Sequence, residues 1–370
     1  MNRENKRTLG LLSAIGACLL FGASSLAMIC RVEPFYSWYY SFAWWSYIIF
    51  VESLLCLRGG KSLLFEQSGK FLLLLPVSIT VWLVFEAFNF RLSNWHYINI
   101  PSGTVIRWTG YLIAYSTVLP GIFSTKALLE YLKVLENSRT VPLRNPQRTY
   151  KTFVLTGLMF LILPLLWPEY FFPLVWCAFI LLLEPLNHRF GAPSLLRQWE
   201  KGSLRSLYLL LVAGGVCGLL WELWNFWVGS KWIYSVPHFG FLKVFEMPLL
   251  GFLGFPPFAI ECYVMSASFF LLVSKIRDKH TRVRANVIYS ALAFLMIIFD
   301  LLVFAGIDRI TILSFAAAGP PAKFATQTFG GDKKNPYRPP ALILGQRFDV
   351  GDEGGDVLVG QDASPGLHLR

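Results

Sequence analysis

The chain has 370 residues, of which 55% are hydrophobic and only 15% charged, a composition that excludes a water-exposed globular protein and points to a polytopic membrane protein. Its formal net charge of +11 is concentrated between apolar segments, where it reads as membrane topology and contact with anionic lipid. No nucleic-acid partner is called for.

The first apolar run, roughly 9–30, follows Arg3, Lys6 and Arg7. It has signal-peptide flanks, but it is long enough to span and further spans follow, so it is expected to stay as the first helix. Spans are predicted at roughly 35–57, 71–90 and 105–124, then beyond a basic cytoplasmic linker over 126–151 at 152–167, 169–186, 206–228 and 247–274. The fifth and sixth are short, and could form a re-entrant hairpin. A ninth helix lies within 285–307, and the stretch 316–370, rich in Gly, Pro and Asp, reads as a disordered tail. The expected fold is thus an all-α helical membrane bundle of about nine helices. Alternate loops carry 21 Lys and Arg on one side and five on the other, which places the N-terminus in the cytoplasm of a multi-pass cell-membrane protein.

Two stretches repeat each other. "FEAFNFRLSNWHYINIP" at 85–101 and "WELWNFWVGSKWIYSVP" at 221–237 align Glu86, Asn89, Trp95, Tyr97 and Pro101 with Glu222, Asn225, Trp232, Tyr234 and Pro237. Upstream, Trp44, Glu52 and Ser62 match Trp176, Glu184 and Ser194 at held spacing; downstream, Pro120 matches Pro256. Residues 8–125 and 152–275 therefore look like two copies of a four-helix unit, with the ninth helix an addition. Four spans per copy is an even number, so the copies enter the membrane in the same orientation, related by a parallel pseudo-two-fold about the membrane normal.

Carboxylates inside apolar spans are costly and normally face the bundle interior or a watered cavity. Glu86, Glu222, Glu246, Glu261 and Asp300 qualify. Glu86 and Asn89 share a helix face near the end of the third helix, and Glu222 and Asn225 do the same on the seventh. Each pair runs into a loop carrying Trp95 and Tyr97, or Trp232 and Tyr234, whose amphipathic rings suit headgroup depth and would serve as anchors. Glu222 is expected to face the interior within reach of the Trp232–Tyr234 loop or of Glu246, taken as the start of the eighth helix. Glu52 and Glu184, each followed by a helix-capping Ser, read as structural. The six cysteines and five histidines show no metal-ligand spacing, and there is no phosphate-binding motif, so no metal is assigned and the cofactor stays unknown.

The order of acid or amide, Trp-x-aromatic and Pro-containing helix start, ending in "FLGFPPFAIECY", resembles the lycopene-cyclase-like polytopic membrane proteins of carotenoid biosynthesis. The resemblance covers mainly 222–263 and its echo at 86–125. Where the family places paired acids after a Pro, this chain has Leu249, Leu250 and Gly251 after Pro248, with Glu246 before it. The resemblance implies an isomerase-type enzyme of an isoprenoid or carotenoid-type lipid, working by acid-initiated cyclisation or isomerisation. A carboxylic acid would protonate an alkene and aromatic faces would stabilise the cation formed. Glu222, Glu246 and Asn225, with Glu86 and Asn89, are then the candidate catalytic residues; Trp95, Tyr97, Trp232, Tyr234 and Glu261 are the candidate substrate contacts. The alternatives are a membrane carrier or flippase, since Gly251, Gly254, Pro256 and Pro257 break the eighth helix as alternating-access sites often require, and a non-catalytic membrane scaffold. The bilayer is the one partner common to all three.

Overall fold

The computed structural model describes residues 3–237 and 242–316; the tail expected over 316–370 lies, but for Ala316, outside them. Among the described residues, nine helical segments are long and apolar enough to cross a bilayer. In chain order they begin with α1 (Arg3–Ile29), α2 (Phe35–Arg58) and α3 (Ser68–Leu92), followed by strand β1 (Trp95–Ile98). The next span, α4, covers Thr104–Tyr131 in two segments, Thr104–Tyr115 and Val118–Tyr131. After it come α5 (Tyr150–Leu166), α6 (Val175–Phe190), α7 (Arg205–Trp227) and β2 (Lys231–Tyr234). Two short strands, β3 (Lys243–Val244) and β4 (Met247–Pro248), precede α8 (Phe255–Lys279) and α9 (Arg282–Gly306).

The fifth and sixth spans reach 21 and 23 residues, Pro146–Leu166 and Pro168–Phe190, both long enough to cross. The sixth is interrupted by a 3-10 turn at Phe172–Leu174, where Pro173 lacks the N–H that an uninterrupted α-helix would use. The eighth helix starts later than its apolar run implies. Leu249–Gly254 forms 3-10 turns before Phe255, so Glu246 lies in the turn between β3 and β4 rather than at a helix start.

Helices pack α1 on α2, α5 on α6, the second segment of α4 on α2 and α3, and α8 on α6 and α7. The second segment of α4 also lies against α7, and α8 reaches α3. The α7–α8 approach depends on glycine: a Cβ at Gly218 would stand 2.3 Å from Phe255 Cδ2, and one at Gly214 2.5 Å from the Phe255 carbonyl. The outer helices α1, α5 and α9 leave residues such as Leu12, Leu19, Leu155, Leu295 and Leu302 exposed. An apolar surface of that extent suits lipid rather than water.

At the bundle end nearest the N-terminus two buried carboxylates hold turns in place. Glu52 accepts from Ser62 Oγ (2.6 Å), Leu64 N (3.0 Å) and Ser124 Oγ (2.6 Å); Glu184 accepts from Ser194 Oγ (2.6 Å) and Leu196 N (2.8 Å). Ser62 and Ser194 each cap the short helix that follows, through Phe65 N and Arg197 N at 3.2 Å.

The all-α expectation is amended at the opposite end. The alternating "WHYI" and "KWIY" are short period-2 runs, and β1 pairs with β2 antiparallel: Trp95 faces Tyr234, His96 faces Ile233, Tyr97 faces Trp232 and Ile98 faces Lys231. The segment after α9 lies along the other edge of β1, with bridges from Tyr97 to Ile312 and from Ile100 to Phe315.

Candidate functional site

Beneath the β1–β2 ladder lies a cavity of about 540 Å³. The ladder roofs it with Trp95, Tyr97, Trp232 and Tyr234, and the walls carry Trp82 of α3, Tyr111 and Tyr115 of α4, Trp176 of α6, Trp221 of α7 and Phe258 of α8. Phe258 is the hinge of this ring cluster, meeting Trp82, Trp176 and Trp221 at 5.7 Å between centroids. Such edge-to-face and tilted contacts hold the rings at fixed orientations.

The ladder hangs on two amides. α3 ends at a left-handed Ser93 (φ 53°), which turns the chain back so that Asn89 Oδ1 accepts from the N–H groups of Asn94 (2.8 Å) and Trp95 (3.2 Å) while Asn89 Nδ2 donates to the Trp95 carbonyl (2.8 Å). Asn225 treats β2 likewise: it donates to the Trp232 carbonyl (2.9 Å) and accepts from Trp232 N (3.0 Å).

One turn before each amide stands a fully buried carboxyl. Glu86 Oε1 accepts from Trp82 Nε1 (2.9 Å), Trp95 Nε1 (3.1 Å) and the Tyr97 hydroxyl, to which Tyr115 Oη donates in turn (3.0 Å). Glu222 Oε1 accepts from the Tyr234 hydroxyl alone among the described bonds (2.8 Å), and Trp232 Nε1 donates to that hydroxyl (2.8 Å). The difference has a local cause: the residue one turn before Glu86 is Trp82, and the one before Glu222 is Gly218. The second oxygens of both carboxyls have no hydrogen-bond partner.

Outside the spans, burial pushes the Tyr97 and Tyr234 phenols well above the ordinary tyrosine range, and the nearby Glu86 or Glu222 adds to it. Both therefore stay hydroxyl donors across neutral and mildly alkaline pH. Burial pushes the His96 imidazole and the Lys243 ammonium down.

Of the residues singled out by sequence, Glu86, Asn89, Trp95 and Tyr97 form one hydrogen-bonded group, and Glu222, Asn225, Trp232 and Tyr234 another; all four aromatics line the cavity. Glu246 stands apart, ion-paired with Lys231. Glu261 is fully buried one turn beyond Phe258, with Oε1 accepting from Phe179 N (2.9 Å) and Oε2 unpartnered; it is not among the cavity-lining residues. Asp300 accepts from Thr80 (3.1 Å) at the α3–α9 contact.

Several participants were not singled out from sequence. Trp82 could have been, from its place one turn before Glu86. Arg107 and Asp308 could have been, as opposite charges in apolar surroundings: Arg107 holds Asp308 by two bonds of 2.7 and 2.6 Å, with Trp108 Nε1 (2.9 Å) and Tyr111 Oη (3.2 Å) completing the shell. Among the described residues, no three His, Cys, Asp or Glu side chains gather as metal ligands. Comparison with family models, curated proteins and solved structures finds no match to this chain.

Proposed function

We propose that this membrane protein is an enzyme of an isoprenoid or carotenoid-type lipid, which it holds in the aromatic cavity and isomerises or cyclises by proton addition. The observation that carries the reading is the pairing of an aromatic-walled cavity with a buried carboxyl that reaches it through one phenol, Glu222 to Tyr234. In the step proposed, Glu222 is in its protonated form and the Tyr234 hydroxyl turns away from Glu222 Oε1, to which it donates at rest, toward the substrate; Glu222 then passes its proton to Tyr234 Oη as the Tyr234 hydroxyl proton goes to an alkene carbon. The alkene electron pair becomes the new C–H bond, and the cation left on the neighbouring carbon lies against indole and phenol faces that stabilise positive charge. Loss of a proton from an adjacent carbon, back along the same relay, forms the new double bond and restores the acid. The resemblance to lycopene-cyclase-like proteins agrees with this chemistry, with Glu222 taking the role for which the family uses acids after a proline.

The same reading takes the chain as two copies of a four-helix unit, with the N-terminus cytoplasmic. What supports the duplication is that matched residues make matched bonds: Asn89 and Asn225 each clamp a strand, Glu52 and Glu184 each hold a capping Ser. The ladder register is also its own reverse, since the Trp of either strand faces the Tyr of the other, as a two-fold through the centre of the ladder requires. That ladder ties the two halves together at one end. Rocking one half against the other would break it, which favours an enzyme over an alternating-access carrier.

Expression in a host that accumulates linear carotenoids, followed by analysis of the extracted lipids, tests the activity. A new cyclic or isomerised product, lost in Glu222→Gln and in Tyr234→Phe, is the expected result. An unchanged lipid profile with folded protein present in the membrane would overturn it, and lipid scrambling in proteoliposomes would move the assignment to a carrier.

A further inference from the structure

A second pocket, of about 350 Å³, lies at the end of the bundle away from the ladder. The turn that joins α2 to α3, the second segment of α4 and α8 all contribute to its lining, which carries three lysines: Lys61 in the turn, Lys70 in the first turn of α3 and Lys126 on α4. Apolar walls from Leu74, Phe123, Ala267 and Phe270 stand among them. The Lys70 ammonium lies 5.6 Å from the centre of the Phe270 ring, and a ring face holds a cation without neutralising it.

The charges of this pocket are not matched. Lys126 is paired with Glu130. Glu52 is 1% exposed and both its oxygens are taken up by Ser62, Leu64 and Ser124. Lys61 and Lys70 are exposed and make no ion pair among the described residues. Nor do the lysines hold the turn: Glu184 binds Ser194 just as Glu52 binds Ser62, with Pro193 and Cys262 at the positions that match Lys61 and Lys126. Gln67, where α3 begins, lines the same pocket and makes no side-chain cap, so the positive end of the helix dipole adds to the ammonium groups. Lysine binds phosphate as a point charge, and basic pockets between transmembrane helices are suited to phospholipid headgroups. A wholly soluble anion would leave the Leu74, Phe123 and Phe270 walls facing water.

We propose that this pocket seats the headgroup of an anionic phospholipid, with its phosphate between Lys61 and Lys70 and the first part of its chains along the apolar walls. The full chain, stripped of lipid in micelles of a neutral detergent, is titrated with phosphatidylglycerol, with phosphatidylcholine and with soluble glycerol 3-phosphate, and bound ligand is counted by native mass spectrometry. Phosphatidylglycerol should bind most tightly, and Lys61→Gln combined with Lys70→Gln should weaken it about 25-fold, about fivefold for each lysine. Both side chains are exposed, so the double variant should fold. Lys151→Gln combined with Lys279→Gln removes the same charge from the same end of the bundle, outside the pocket, and should leave the affinity unchanged. Equal losses in the two double variants would reduce the site to a general attraction between a basic surface and anionic lipid and overturn the inference. Binding of phosphatidylcholine as tight as that of phosphatidylglycerol, or full affinity in the Lys61 and Lys70 variant, would overturn it as well. Glycerol 3-phosphate binding as tightly as phosphatidylglycerol would assign the pocket to a soluble phosphate instead of a lipid.

Discussion

Glu86 and Glu222 occupy matching positions but carry different hydrogen-bond loads, and paired substitutions to Leu expose the difference. Glu86→Leu strips the acceptor from Trp82 Nε1, Trp95 Nε1 and Tyr97 Oη; Glu222→Leu strips it from Tyr234 Oη alone. A buried donor left without a partner costs about 1–3 kcal/mol, so three orphans amount to about 3–9 kcal/mol before relaxation, against about 1–3 for one. The desolvation relieved by removing a buried carboxyl is common to both changes and largely cancels in the comparison. Glu86→Leu is therefore expected to be less stable than Glu222→Leu by at least about 2 kcal/mol, measured by reversible unfolding in mixed micelles. Product formation should show the opposite order in whatever fraction of each variant remains folded: lost in Glu222→Leu, retained in Glu86→Leu. Equal destabilisation, or a larger loss in Glu222→Leu, would refute the reasoning that Glu86 carries the larger hydrogen-bond load.

Three further outcomes are expected. Asn89→Leu removes three ladder-holding bonds and Asn225→Leu two, so amide exchange in β1 should rise more in the first than exchange in β2 does in the second, and the double variant should cost less than the sum because both release one ladder. His96 has its pKa lowered by burial: the folded protein keeps it neutral while the unfolded chain takes up a proton below about pH 6.5, so stability should fall as pH drops through that point, and His96→Gln should flatten the fall. Gly218→Ala places a methyl 2.3 Å from the Phe255 ring, an overpacking of about 1–3 kcal/mol that displaces a cavity-lining ring; unfolding midpoints and ligand affinity should drop together, and a change in neither would show that α7 and α8 separate freely.

Much of the fold is legible because a bilayer demands long apolar helices and leaves them visible as such. The paired motifs are legible because acids and amides are conspicuous in apolar sequence. What could not be read is pairing between distant parts of the chain. Trp95-x-Tyr97 and Trp232-x-Tyr234 look like separate interfacial anchors until β1 and β2 are seen to face each other. The Asp308 shell joins the start of α4 to the turn after α9, and neither end signals the other. Glu246 is placed by its ion pair with Lys231 of β2 rather than by the apolar run that follows it. The asymmetry between Glu86 and Glu222 was legible in one residue, Trp82 against Gly218, but only to a reader who already knew that an indole would turn toward the acid.

The ladder also imposes an order of events on assembly. β1 enters the membrane with the first helices, and its partner strand follows only after four more spans have been made. Until then Glu86, Asn89 and their bonds can form, but the strand edge facing β2 is open and the cavity lacks the walls that α6, α7 and α8 supply. Closure depends on contacts distant in sequence, which form slowly because the intervening chain must first be positioned. The clasp between β1 and β2 is thus a late step of folding, and the nascent first half would expose its aromatic groove to lipid and to chaperones for as long as the second half takes to arrive.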